Sequence, residues 1–155
     1  MPGEGSNIDF KLEFDPGNAK GKTGIVKHIV AMANTGGGEI IFGRDEGKVL
    51  GLSPNTVKHL DSARLLDYAE KYVGKGAINL RHEIEALKGK KVICRIVVDP
   101  SVYPTVMAKD GTWSGMDKGD KPLFLRGDIW VRHGSKTERI SQIDVNRIVD
   151  DAYEK

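Results

Sequence analysis

Three carboxylates, Glu4, Asp9 and Asp45, occupy positions from which they could act on one substrate. Asp45 follows a short β-rich run, Glu39 to Gly43, and a first strand holding Asp9 is a candidate neighbour of that run. Carboxylates gathered in one place repel each other, and a divalent cation is the usual relief. Mg²⁺ or Mn²⁺ held in this way can activate water against a phosphodiester. The plainer alternative is three solvated carboxylates on a terminus and a turn.

A second group of residues suits phosphate. Gly36, Gly37 and Gly38 present successive backbone N–H groups, a nest able to hold a phosphate oxygen. The same glycines also read as a helix stop and tight turn. Arg132, His133 and Ser135 end a strand beside Gly134. Arginine and serine there suit phosphate, and His133 could stack or donate, while a structural turn anchor is an equal contender. The net charge of +2 is unremarkable, but its distribution is uneven. From Lys118 to Arg139 the bases Lys118, Lys121, Arg126, Arg132, Lys136 and Arg139 outnumber Asp120, Asp128 and Glu138. From Met1 to Asp15, Glu4, Asp9, Glu13 and Asp15 face Lys11 alone. A basic end can hold phosphates and an acidic end a metal, or both are solvated surface. Trp113 in a turn-rich stretch could stack on a base, whereas Trp130 alternates with apolar neighbours and reads as core.

Other constellations say less. Pro16 to Thr23 nearly spells a Walker A loop, but proline stands where glycine is required and removes a phosphate-binding N–H, so ATP binding is the weakest of the functional readings. His59 and His82 lack ligand spacing with Cys94 or each other, which argues against zinc. Cys94, the single cysteine, excludes an internal disulfide and suits a reducing cytoplasm; it lies in the apolar run Val92 to Val98, where packing is its expected role.

These residues need elements to position them. Strand one is expected over about Ile8 to Phe14. Ile25, Val26, Ile29, Val30, Met32 and Ala33 give a helix from about Lys22 to Asn34 one broad apolar face, with Lys27, Ala31, Asn34 and Thr35 opposite. Arg44 to Gly47 reads as a polar hairpin turn into a further strand. A second helix is expected over about Val57 to Val73, ended by Gly74. Ile84 to Leu87 and Val92 to Val98 read as a hairpin across Lys88-Gly89-Lys90. Asp99 to Lys121 is a long turn-rich stretch of the kind that forms a lid, a binding loop or a disordered segment. Leu123 to Leu125 and Ile129 to Val131 suggest a strand pair across Arg126-Gly127-Asp128. Ser141, with Asp144 three residues on, announces a last helix by a capping box. Helices separated by hairpins predict an α+β fold with a mixed or antiparallel sheet and about three helices.

The block Ala31 to Leu52 resembles the signature of the Schlafen Alba-like domain family, also called the divergent AAA domain. Glu4 to Lys11 is similar to that family's acidic start, and Gly127 to Ser135 is similar to its final strand and Arg-His-Gly-Ser turn. In their right order these blocks span nearly the whole chain. The resemblance implies a nucleic-acid-binding domain that contacts the phosphates of RNA or DNA. Lys11, Gly37, Gly38, Arg126, Arg132, His133, Ser135, Lys136 and Arg139 are the candidate contacts. In some Schlafen-type proteins an acidic trio is a nuclease site. By that resemblance Glu4, Asp9 and Asp45 would be catalytic and metal-binding in an Mg²⁺- or Mn²⁺-dependent ribonuclease.

With 155 residues, 39% hydrophobic and 30% charged, the chain reads as one ordinary globular domain. The first seven residues are expected to be mobile. No apolar run reaches membrane-spanning length, and the start lacks the parts of a signal peptide, so a cytoplasmic protein is expected, without a membrane partner. A homodimer or a separate effector protein are the open possibilities for partners.

Overall fold

Alternation along the first strand decides where its charges go. In the computed structural model, which describes residues 5–154, that strand is β1 (Ile8–Lys11). Phe10 joins Ile41 and Ile93 in a small cluster on one face of the sheet. Successive side chains point to opposite faces, so Asp9 and Lys11 share the other face, the one carrying the main core.

The remaining elements follow in chain order: α1 (Ala19–Ala33), β2 (Gly38–Phe42), α2 (Pro54–Val57), α3 (Ser62–Val73), β3 (Leu80–Ala86), β4 (Val92–Val98), β5 (Trp130–His133), β6 (Lys136–Arg139) and α4 (Gln142–Tyr153). The main sheet has the order β1-β2-β4-β3, and β5 and β6 form a separate ribbon. β1 and β2 are parallel, joined through α1; the other pairings are antiparallel. This is the expected α+β domain with a mixed sheet. Among the described residues no helix is long and apolar enough to cross a membrane.

Several elements differ from expectation for identifiable reasons. β2 has β1 on one edge and β4 on the other, so no edge remains for a hairpin partner after Asp45; residues 48–52 make only the isolated bridges Arg44↔Val49 and Leu52↔Val92. The expected helix from Val57 is divided into α2, a 3₁₀ turn at Lys58–Leu60, and α3, which starts afresh where the Asp61 side chain accepts from the Arg64 amide. β5 pairs with β6 across Gly134-Ser135, not with Leu123 to Leu125. Leu123 and Phe124 bond instead to Gly111, whose missing side chain leaves room for the Phe124 ring.

The long segment after Asp99 is tied down along its first half. Thr105, Met107 and Gly111 are buried, the Met107 amide donates to the Asp128 carbonyl, and the Ala108 amide donates to the Tyr72 carbonyl. Its contact with α1 explains another difference. Ala31 and Asn34, expected on a polar helix face, are buried because this segment and β5 cover that side. The Asn34 amide donates to the carbonyls of Thr105 (3.1 Å) and Trp130 (2.9 Å), and its oxygen accepts from the Thr105 amide at 2.8 Å. One side chain thus fastens the end of α1 to two segments remote in sequence.

The glycines after α1 serve close approach. The Gly37 amide donates to the Met32 carbonyl, and Asn7 donates to the carbonyls of Thr35 and Gly37. Gly37 and Gly38 have φ of +77° and +157°. A Cβ on Gly38 would run into the Asn7 carbonyl, and one on Gly37 into the Val98 carbonyl. Gly38→Ala should therefore cost about 3 kcal/mol or more of stability, read as a lowered urea midpoint. An unchanged midpoint would show that the β1–β2 junction yields freely.

Candidate nucleic-acid interface

The charges on the α1 side of β1 assemble around a buried arginine. Arg132 leaves β5 inward, only 2% exposed. Its Nη2 donates to the carbonyls of Gly5 (2.8 Å) and Ile8 (3.3 Å), its Nη1 donates to the Thr137 hydroxyl (3.2 Å), and its Nη1 stands 3.8 Å from Asp9 Oδ1. Its backbone N–H donates to the Thr35 hydroxyl. Arg132 was expected to face phosphates; its donors face the protein interior. Asp9 is equally buried and stands between Arg132 and Lys11, whose Nζ is 3.2 Å away. Thr137 also meets His28 Nδ1 at 2.8 Å. Burial first, and then the nearby Lys11, push the His28 imidazole down to about 4, so it is neutral at pH 7.

Above this layer the ribbon presents an exposed edge. Ser135, Lys136 and Arg139 are exposed, with Gly134 at φ +60° making the turn. Beneath them Trp130 is flanked by two cations: Lys27 Nζ lies 4.8 Å and the Arg139 guanidinium 4.9 Å from the ring centroid. Burial, and then Arg139, lower the Lys27 pKa. Arg139 is steadied further by Asp128 at 3.2 Å.

His133 turns to the last helix. Its Nε2 lies 2.8 Å from Asp144 Oδ2, and its Nδ1 lies 3.3 Å from Glu138. The Ser141 amide and hydroxyl donate to the same Asp144 carboxylate, completing the expected capping box. The Asp144 bond raises the His133 pKa; burial opposes and Glu138 adds to the rise. Burial alone would raise Asp144, but the Ser141 and His133 bonds outweigh it and hold that carboxyl below its ordinary value.

Two of the three acidic candidates, Asp9 and Asp45, lie within the described residues. Glu4 lies outside the described residues. Asp9 stands opposite Ile40 in the register, and Asp45 comes five residues after Ile40, in a turn where its Oδ1 accepts from the Gly47 amide. Among the described residues no group of three or more His, Cys, Asp or Glu side chains is arranged to hold a metal. Asp9 is already compensated by Lys11 and Arg132, so it needs a cation less than a lone buried carboxylate would. Gly37 and Gly38 form no open nest, since the Gly37 amide is taken by Met32 and Gly37 is buried. A cavity of about 420 Å³ opens beside this cluster, between Lys11, Phe14, Phe42, His28, the start of α1 and Leu123. Arg126 is exposed and lines a separate hollow with Lys71 and Lys109. The roles of Lys27, Asn34, Thr137, Lys71 and Lys109 were not legible in the sequence, because each meets residues distant in the chain.

Two outcomes follow. Arg132→Met leaves Asp9 buried without its arginine and should lower stability by about 3–5 kcal/mol; Asp9→Asn in the same chain should recover part of that loss. Additive losses in chemical denaturation would deny the coupling. The two histidines act in opposite pH windows. His28, depressed in the fold, binds its proton more readily when unfolded, so stability falls as pH drops from about 6.5 toward 4. His133, raised in the fold, contributes fully below about 6.5, and its share fades as pH rises through its folded value. His28→Gln should flatten the acid limb of stability against pH, and His133→Gln the limb above 6.5. Unchanged slopes would contradict both environments.

Comparison with protein families matches residues 4–141 to the family described as Schlafen, AlbA_2. Comparison with curated proteins matches none. The match covers β1 through β6 and stops at the N-cap of α4, so the parallel β1–β2 pair, the glycine junction and the Arg132 ribbon all lie inside it. The chain belongs to the Schlafen, AlbA_2 family.

Proposed function

We propose that this protein binds RNA or DNA through the phosphate backbone. The observation that carries this reading is the exposed edge of the β5–β6 ribbon, where Ser135, Lys136 and Arg139 project from a base fixed by buried Arg132, Asn34 and Trp130. Membership of the Schlafen, AlbA_2 family supports it. A rigid mount matters because cations held in place lose less conformational freedom on meeting a phosphate. Ser135 adds a hydroxyl donor, and Arg139 a planar fork suited to phosphate oxygens. Lys11 is half-buried and engaged with Asp9, so the phosphate contacts fall to the exposed cations of the ribbon. Arg132 acts as a positioning residue, holding the ribbon against β1. These cations and the Ser135 hydroxyl suit phosphate oxygens, so the reading is of binding without sequence preference.

Fluorescence anisotropy with labelled tRNA and duplex DNA across a salt series tests this. Affinity should fall steeply with salt. In Lys136→Gln/Arg139→Gln the slope of log K against log salt should shrink by about 1.5 to 2, alike for RNA and DNA. An affinity indifferent to salt would overturn the reading, as would a double variant with the wild-type slope. Running the same mixtures with Mn²⁺ and with EDTA shows on a gel whether binding is accompanied by cleavage.

A further inference from the structure

A second basic surface lies away from the ribbon in sequence. Lys71 on α3, Lys109 and Arg126 line a shallow hollow of about 650 Å³ together with Tyr72, Ala108, Asp110 and Thr112. All three cations are exposed, and none forms an ion pair with a carboxylate among the described residues. The one carboxylate in the wall, Asp110, is occupied: its Oδ1 accepts from the Arg126 amide at 2.8 Å, which sets the Arg126 backbone at the rim. The floor is rigid. Tyr72 is buried, its hydroxyl donates to the Thr112 carbonyl at 2.8 Å, and the Ala108 amide donates to the Tyr72 carbonyl at 2.7 Å.

The positive surface continues past the hollow. Tyr68 lies edge-on to Tyr72 and carries two ammonium groups, Lys71 Nζ at 4.8 Å and Lys22 Nζ at 5.5 Å from its ring centroid. Next to Thr112, Trp113 carries Lys20 Nζ at 5.3 Å. A contiguous path thus runs from Arg126 and Lys109 through Lys71 and Lys22 to Lys20, with each of the three helix lysines resting on an aromatic ring. The rings restrict the lysine stems while the ammonium groups stay available to an anion.

We propose that this hollow and its lysine path form a second subsite for the phosphodiester backbone of a nucleic-acid strand. The proposal rests on the nucleic-acid reading above and adds where else the strand is held. The chemistry selects phosphate: three cations face one carboxylate, whose Oδ1 already accepts from the Arg126 amide. Counterion release on binding provides the affinity, so the subsite has no base preference.

The test is anisotropy of a labelled single-stranded oligonucleotide and of tRNA across a salt series. It uses the wild-type chain, Lys109→Glu alone, and Lys71→Gln/Lys109→Gln/Arg126→Gln. Lys109 can be changed without touching any ring contact, so Lys109→Glu keeps the question open should the triple variant fold poorly. The expected result is weaker binding by Lys109→Glu and a slope in the triple variant reduced by about 2 to 3, with unchanged melting of Lys109→Glu by circular dichroism. Wild-type binding with both variants indistinguishable from it would overturn the subsite and leave the ribbon reading standing. No wild-type binding at any salt would overturn both. Competition by polyglutamate as effective as by unlabelled oligonucleotide would also overturn it, because the surface would then be a general polyanion site.

Discussion

A guanidinium buried beneath the ribbon is the constraint from which the rest of the arrangement follows. Arg132 reaches from β5 to the carbonyls of Gly5 and Ile8, to Thr137 on β6 and toward Asp9 on β1, so it joins the two ends of the chain. Removing a charge from water is costly, and only a full set of partners offsets it. Its Nη atoms find oxygens, whereas its Nε and Asp9 Oδ2 have no hydrogen-bond partner among the described residues, although Lys11 neutralises Asp9 electrostatically. Such a pair adds little net stability over an apolar replacement, but it is intolerant of misplacement. Its effect is to fix one position of the ribbon relative to the sheet, which is what a surface of aimed cations requires.

Asn34 does comparable work with neutral groups. Where they pass over the end of α1, the Thr105 segment and β5 would leave the Thr105 amide and the Thr105 and Trp130 carbonyls unmet, and the single Asn34 carboxamide satisfies all three. Together with the glycine junction, where Gly37 and Gly38 admit the backbones of Val98 and Asn7, it makes the region around α1 the hub through which β1, β5 and the long segment are mutually placed. The surface cations inherit their positions from this hub. Trp130, for instance, is buried by the packing of β5, and its ring in turn locates Lys27 and Arg139.

The electrostatics divides by depth. Beneath the ribbon, burial and neighbouring cations keep His28 neutral, and Asp9 is balanced by bases. At the surface, His133 is biased toward its charged form by Asp144 and so ties the start of α4 to the end of β5. The interior is thus arranged to limit net charge, and positive charge is left on the ribbon and along the α3 path. That separation suits a protein whose partner is a polyanion, since that positive charge lies where a partner can reach it.

The sequence by itself determined what local chemistry can determine. The apolar face of α1, the β3–β4 hairpin and the capping box at Ser141 and Asp144 were legible, because each depends on residues a few positions apart. Three glycines announced a helix stop and tight turn, though not whose backbones would pass against it. The family was legible from Ala31 to Leu52 with its two flanking blocks. Tertiary structure decided what depended on neighbours far along the chain. Arg132 looked like a surface cation because nothing near it in sequence reveals that Gly5, Ile8 and Asp9 cover it. Asn34 looked polar and exposed for the same reason. The second strand expected after Asp45 failed to form because β2 has no free edge, a fact that belongs to β1 and β4. Lys71, Lys109 and Arg126 became one hollow only when α3 met the segment around Ala108. Charge and propensity are written locally, whereas burial and convergence are properties of the whole fold.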